Sequence, residues 1–235
     1  MYKEEGADDD EESQDFLTHV PRLVNEEDKS RLLKPFIQDE INNVIWKIIK
    51  ANMFLMIKGF LQKSKVGGST NSTFLALIPK EANPEAFDRF RPISLCNASY
   101  KILTKLLANR IKPLLEKLIS PNKGGFVKGR DILDNVILVQ EIIHSNHQRK
   151  EQGMLIKLDM VNTFDRVRHS FLLQVLSTFG FSSKFVKMIK SRIGEPWIAP
   201  LVNGRLTNYF KATRGIRQGC PLSPFMCILM VDSLS

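Results

Sequence analysis

The chain has 235 residues, 43% of them hydrophobic and 25% charged, enough for one sizeable core or one domain with a short appendage. Three cysteines, Cys96, Cys220 and Cys227, are too few and too scattered for a disulfide framework or a zinc ribbon, and they fit a reducing compartment. The start is acidic where a signal peptide is basic and then apolar, and no run approaches the ~20 apolar residues of a membrane span, so the expected location is intracellular, nucleus or cytoplasm.

The net charge of +9 is unevenly spread. Residues 1–40 hold 13 acids against 5 Lys and Arg, a net −8, whereas residues 41–235 hold 29 bases against 12 acids, a net +17. A body this basic attracts polyanions and releases counterions on binding them. The plainer alternative is a solvated basic surface.

In chain order, residues 1–20 read as an acidic disordered tail. Residues 21–72 form a helical N-terminal segment: the pattern over 26–63 places Ile37, Ile41, Ile45, Ile48 and Ile49 at helical spacing, and Lys63–Ser72 is a linker. Thr73–Pro79 is a short strand, followed by a polar loop over 80–92 with Pro84 and Pro92. Ser94–Leu118 predicts a helix, with Leu103, Leu106, Leu107, Ile111, Leu114, Leu115 and Leu118 on one stripe. Pro121–Arg130 is a glycine-rich basic loop, Ile132–His147 an amphipathic helix and Met154–Met160 a strand. Helices follow over Ser170–Thr178 and Phe181–Arg192, then a hairpin about Gly204, a loop over Arg214–Pro224 and a helix start at Phe225–Leu234. Helices and short strands without regular alternation indicate an α+β fold, helices packed on short antiparallel strands.

Four segments carry chemistry. Asp159 stands near the end of an apolar strand, a sound seat for Mg²⁺, which takes hard oxygen ligands; its alternative role is to cap the next turn. In the run RGIRQGCPLSP from Arg214, Pro221 and Pro224 stiffen the loop, Gly215 and Gly219 allow close backbone approach, and Arg217 and Gln218 supply donors for a phosphate or a base edge. Lys80 and Arg91 come shortly after the first strand, a point charge and a fork suited to a triphosphate or merely to solvent. Lys123, Lys128 and Arg130 surround Phe126 in the glycine-rich loop; the cations suit a nucleic-acid backbone, and Phe126 reads as a core anchor. His144, His147 and His169 lack a convincing metal spacing.

Taken in order, FLALIPK, DRFRPISLCNASYKILTKLLANRIKPLL, GFVKGRDILDN, IKLDMVNTFDRV, LVNG and RGIRQGCPLSP resemble the reverse transcriptase of LINE-type non-LTR retrotransposons, plant elements especially, over about Thr73–Ser235. The resemblance implies a partial right-hand polymerase, fingers and incomplete palm, over 73–235. It implies an RNA template, a DNA primer and deoxynucleoside triphosphates as partners, with Mg²⁺ as cofactor. Asp159 would be the catalytic, metal-binding aspartate, and Phe164 the steric gate against a 2′-hydroxyl. Lys80, Arg91, Arg217, Gln218 and Gly219 would surround the nucleotide, and Lys123, Lys128 and Arg130 would follow the nucleic acid. Asp165 is expected to be structural.

The chain also departs from the family's pattern. The aromatic-x-Asp-Asp hairpin with the other two aspartates is expected past Ser235, so the chain as written is expected to be inactive alone. A segment like Ala-Pro-Gly-Pro-Asp-Gly, usual before the tryptophan matching Trp46, is missing, which reads as an internal deletion. Asn162-Thr163-Phe164-Asp165 replaces Lys-Ala-Tyr-Asp, and Lys123 stands where glutamine is common. The rival expectations are a non-catalytic basic nucleic-acid-binding remnant and a non-functional gene fragment.

Overall fold

A computed structural model of the chain describes residues 21–35, 37, 39, 57, 59, 71–150, 152–157, 160, 162–194 and 196–234. Helix α1 (Glu26–Leu33) begins at a reciprocal capping box: Asp28 N donates to Asn25 Oδ1 at 2.9 Å and Asn25 N to Asp28 Oδ2 at 3.3 Å. Its far end is held by Arg110, which donates to Leu32 O at 2.8 Å, and Lys117 pairs with Asp28. The rest of the helical pattern to residue 63, with the tail, the deletion point before Trp46 and most of the linker, lies outside the described residues.

Strands β1 (Ser72–Pro79) and β2 (Phe90–Cys96) form an antiparallel pair joined across a 3-10 turn, Phe87–Arg89. Strand β2 corrects the sequence reading, which put a loop and a helix start there. Its Pro92 has no N–H to give a ladder, and β2 sits at the sheet's edge, where that loss is tolerated. Strand β3 (Trp197–Val202) pairs with β1 in parallel, so the sheet is mixed and not wholly antiparallel. Asn203 and Gly204, with φ of 50° and 73°, make the two-residue turn that returns the chain as β4 (Arg205–Leu206), the geometry of a type I′ hairpin. Strand β5 (Phe210–Lys211) also pairs with β3.

The helical body follows from the leucine stripe. Helix α2 (Ala98–Ile111) runs through a 3-10 turn at Lys112–Leu114 into α3 (Leu115–Leu118), and all seven predicted stripe residues are buried. Each such side chain stabilises the fold by about 1.5–3 kcal/mol relative to exposure. Three later helices complete the core: α6 (His169–Thr178) through Leu172, Val175 and Leu176, α7 (Ser183–Ile193) through Phe185 and Ile189, and α8 (Ser223–Asp232) through Met226 and Leu229. A separate small cluster, Leu75, Ile198 and Ala212 with Leu77 and Phe210, underlies the sheet.

Two elements stand apart. Helix α4 (Ile132–Arg149) has a capping box at Asp131 but no buried residue, and Leu133, Val136, Ile137 and Ile143 are exposed. The strand expected over Met154–Met160 is not formed in its described part: 152–157 has no regular structure and Met154 is 86% exposed. A strand needs partners for its backbone N–H and C=O groups, and no described strand pairs with this one. Among the described residues, no helix is long and apolar enough to cross a membrane.

Candidate nucleotide site

The loop from Arg214 to Gly219 is laced between β2 and the segment around α5 (Thr163–Arg166). On one side Gly215 N donates to Val167 O and Ile216 N to Phe164 O, both at 2.7 Å. On the other, Ser94 N of β2 donates to Gln218 O at 2.9 Å. His169 Nε2 lies 2.7 Å from Gly215 O, so this histidine braces the loop. Gly219 has a φ of 95°, and a Cβ there would stand 3.3 Å from Ser94 O; the tight lacing needs glycine.

Arg217 is 6% exposed and points into the body. Its Nη2 donates to Asn71 O and, at 2.7 Å, to Asn71 Oδ1, and its guanidinium lies 4.2 Å from the Tyr100 ring centroid. Through Nη2 Arg217 anchors the loop, while its Nε and Nη1, buried without a hydrogen-bond partner among the described residues, leave part of the fork unspent beside the small void that Asp165 and Gln218 also border. Tyr100, 1% exposed, donates to Arg192 O at 2.8 Å. Burial pushes its phenol well above the ordinary range, Cys220 adding to the shift and Arg217 opposing it. Burial likewise raises the Cys96 thiol, against the pull of Arg217.

Side chains alternate along β1, β2 and β3, so Leu75 and Leu77, Phe90 and Pro92, and Pro200 and Val202 share one sheet face. With Phe87, Asp88, Asn162 and Asp165 they line a cleft of about 350 Å³, in the range of small-ligand sites. Its floor is apolar, and its polar groups come from three places, one of them Thr207, whose hydroxyl donates to Pro200 O. Asn162, in the left-handed conformation with φ 53°, and Asp165 follow Asp159 in the chain by three and six residues. Asp88 sits at the rim, where Lys80 Nζ donates to Asp88 O at 2.7 Å. Asp165 also borders a void of about 10 Å³ shared with Gln218, whose Nε2 lies 3.1 and 3.2 Å from the two Asp165 oxygens.

The expected site residues thus separate. Lys80 does not line the cleft but is bonded to the carbonyl of Asp88, which does, and Gln218 is bonded to its wall. Arg91 is not with them: it pairs with Ile78, on the sheet face opposite Phe90 and Pro92, and is exposed. Phe164 does not line the cleft either, because its neighbour Asp165 takes that direction and the ring packs on the main core. Asp159, the expected catalytic and metal residue, lies outside the described residues. Asn162, Asp165 and Asp88 were not singled out as cleft residues, since only the folded register brings them together.

The glycine-rich loop is also revised. Arg130 donates to the carbonyls of Glu116, Ile119, Ser120 and Lys123 at 2.6–3.1 Å, and Lys123 to Val231 O at 2.9 Å while pairing with Asp232. Both cations hold the loop in place; Lys128 alone of the three is exposed. Phe126 is no core anchor: it is 60% exposed with φ 62°, touching Phe225 edge-on.

A metal cradle is not assembled by the described residues, which gather no group of three or more His, Cys, Asp or Glu side chains. The Asp165 carboxylate is engaged by Gln218.

A protein family, reverse transcriptase (RNA-dependent DNA polymerase), matches residues 78–235. The chain is 28% identical to the transposon TX1 uncharacterized 149 kDa protein of Xenopus laevis, over 88% of this chain and 18% of that protein. It is 28% identical to the Pol polyprotein of the type-1 retrotransposable element R2 of Popillia japonica, over 67% of this chain and 22% of that protein. A solved chain of a partial Cas6-RT-Cas1–Cas2 complex aligns at 17% identity with a TM-score of 0.43, covering 89% of this chain and 33% of that one. The chain therefore spans less than a quarter of the length of these two curated relatives. With most of its length matched by that family and its relatives found in non-LTR retrotransposons, the chain belongs to the reverse transcriptases.

Proposed function

We propose that these residues serve an RNA-directed DNA polymerase as fingers and part of the palm, and that the cleft between the sheet and Asn162–Asp165 receives the deoxynucleoside triphosphate. Family membership implies a divalent metal and nucleic-acid substrates; the finer reading is Mg²⁺ at Asp159, with RNA template and DNA primer. The observation that supports it is the juxtaposition of Asn162 and Asp165, close behind Asp159 in the chain, with an apolar sheet face and with Asp88, whose carbonyl holds the Lys80 ammonium nearby. An apolar wall suits a base or sugar, and an ammonium suits phosphate oxygens.

In this reading Lys80 releases the Asp88 carbonyl and turns to the triphosphate. Titrating the chain with a fluorescent deoxynucleoside triphosphate in Mg²⁺ tests this. Saturable binding is expected, weakened about tenfold by Lys80→Ala, as suits one charge-assisted contact. Absence of saturable binding, or an unchanged affinity in Lys80→Ala, would remove the cleft from consideration.

A further inference from the structure

Asp165 is 3% exposed, yet it sits within a four-residue helical turn and faces Gln218 across the void beneath the cleft. An ionised carboxylate only accepts hydrogen bonds, so the amide atom that suits it is nitrogen, and Nε2 stands 3.1 and 3.2 Å from the two oxygens. A glutamine facing water or a neutral amide presents either end. Opposite Asp165, Nε2 is taken, so a ligand that reaches Gln218 meets Oε1. The backbone of Gln218 is held as firmly: its carbonyl accepts from Ser94 N, Arg217 before it is anchored on Asn71 and Tyr100, and Gly219 after it takes the left-handed turn.

Resting on the reading of the cleft as a nucleotide pocket, we infer that Asp165 is a positioning residue: it sets the polarity of the Gln218 amide, so that an oxygen acceptor and not an NH₂ donor meets the nucleoside part of the bound triphosphate. Asp165 touches no reacting atom in this role and acts through Gln218. A residue that merely filled space would be replaced best by its isostere, asparagine. A residue that fixes polarity would be replaced best by another carboxylate, because asparagine offers Gln218 both a donor and an acceptor and lets its amide turn over.

The experiment measures the affinity of the whole chain for Mg²⁺-dTTP and for inorganic tripolyphosphate, with thermal melting alongside, in Asp165→Asn, Asp165→Glu, Gln218→Ala and the Asp165→Asn, Gln218→Ala double variant. Asp165→Asn is expected to weaken dTTP about tenfold and leave tripolyphosphate unchanged, the scale of one lost oriented hydrogen bond. Asp165→Glu retains more dTTP affinity than Asp165→Asn. The double variant binds dTTP no worse than Gln218→Ala, since the two side chains act as one unit. Asparagine binding dTTP as the wild type does, or better than glutamate, overturns the inference, as do independent losses in the double variant or a parallel fall for tripolyphosphate. Should Asp165→Asn fail to fold, the comparison of Asp165→Glu with Gln218→Ala decides: glutamate must bind dTTP better. A wild-type chain that binds tripolyphosphate but not dTTP sinks the nucleotide-pocket reading itself, an outcome distinct from the others.

Discussion

Tyr100 concentrates several demands on one side chain. Its hydroxyl satisfies the carbonyl of Arg192 in α7, its ring carries the Arg217 guanidinium, and Cys220 lies against its oxygen at 3.9 Å. Tyr100→Phe keeps the ring and deletes the hydroxyl, leaving a buried carbonyl without its donor. The expected cost is about 1 kcal/mol in urea unfolding at neutral pH. The same phenol gives the protein an alkaline limit. Its pKa is raised in the folded state, so as pH climbs past the ordinary phenol range the unfolded chain loses that proton first. The unfolded state then holds fewer protons than the folded one, and stability declines with pH. Cys96, also raised by burial, adds to the decline from the thiol range upward. Between about pH 9.5 and about pH 11 the wild type should lose stability more steeply than Tyr100→Phe. Equal slopes would show that Tyr100 is not the group responsible.

Among the elements, α2 and α4 make the instructive contrast. Both carry apolar residues at helical spacing and both were legible in the sequence. Helix α2 buries seven residues, Tyr100, Leu107, Ala108 and Ile111 among them in the core shared with α3, α6, α7 and α8, whereas α4 buries none. Periodicity identifies a helix with an apolar face; it does not say whether another element covers that face. Amide exchange should separate the two, with α4 exchanging at least about 100-fold faster than the centre of α2, because local opening of α4 uncovers almost nothing. Matching protection would mean that α4 is packed. Strand β2 carries the opposite lesson. Pro92 argued for a loop by local chemistry, and the edge position that makes the proline harmless is a property of the sheet. The Met154–Met160 run fails as a strand in its described part for a related reason: its apolar pattern is right, and no described strand is beside it.

For the whole molecule, the +17 of residues 41–235 remains the broadest statement about partners, but structure decides which charges count. Arg130 spends its guanidinium on four carbonyls and Lys123 on α8, while Lys128 is exposed. Binding to single-stranded RNA should weaken steeply with salt, and Lys128→Ala should reduce the slope of log affinity against log salt by about 0.7, as for one phosphate contact. Arg130→Ala should instead lower the melting temperature and leave that slope nearly unchanged, the cost being about 2 kcal/mol from carbonyls left without a donor. Should Arg130→Ala flatten the salt slope as much as Lys128→Ala does, its role as a loop staple would be refuted.

The order of the motifs carried the family, and with it the expectation of a nucleotide site near Asp159, because such motifs are local strings that survive without knowledge of the fold. The leucine stripe and the Asn203-Gly204 turn were equally readable, since helical period and left-handed turn residues are encoded by neighbours in the chain. Only the tertiary structure decided which side of each element faces the cleft. One register turned Arg91 outward and Pro92 inward, and one turn sent Asp165 to Gln218 and Phe164 to the core. The direction of a side chain depends on strand pairing and packing between segments tens of residues apart, a relation that local chemistry alone does not record.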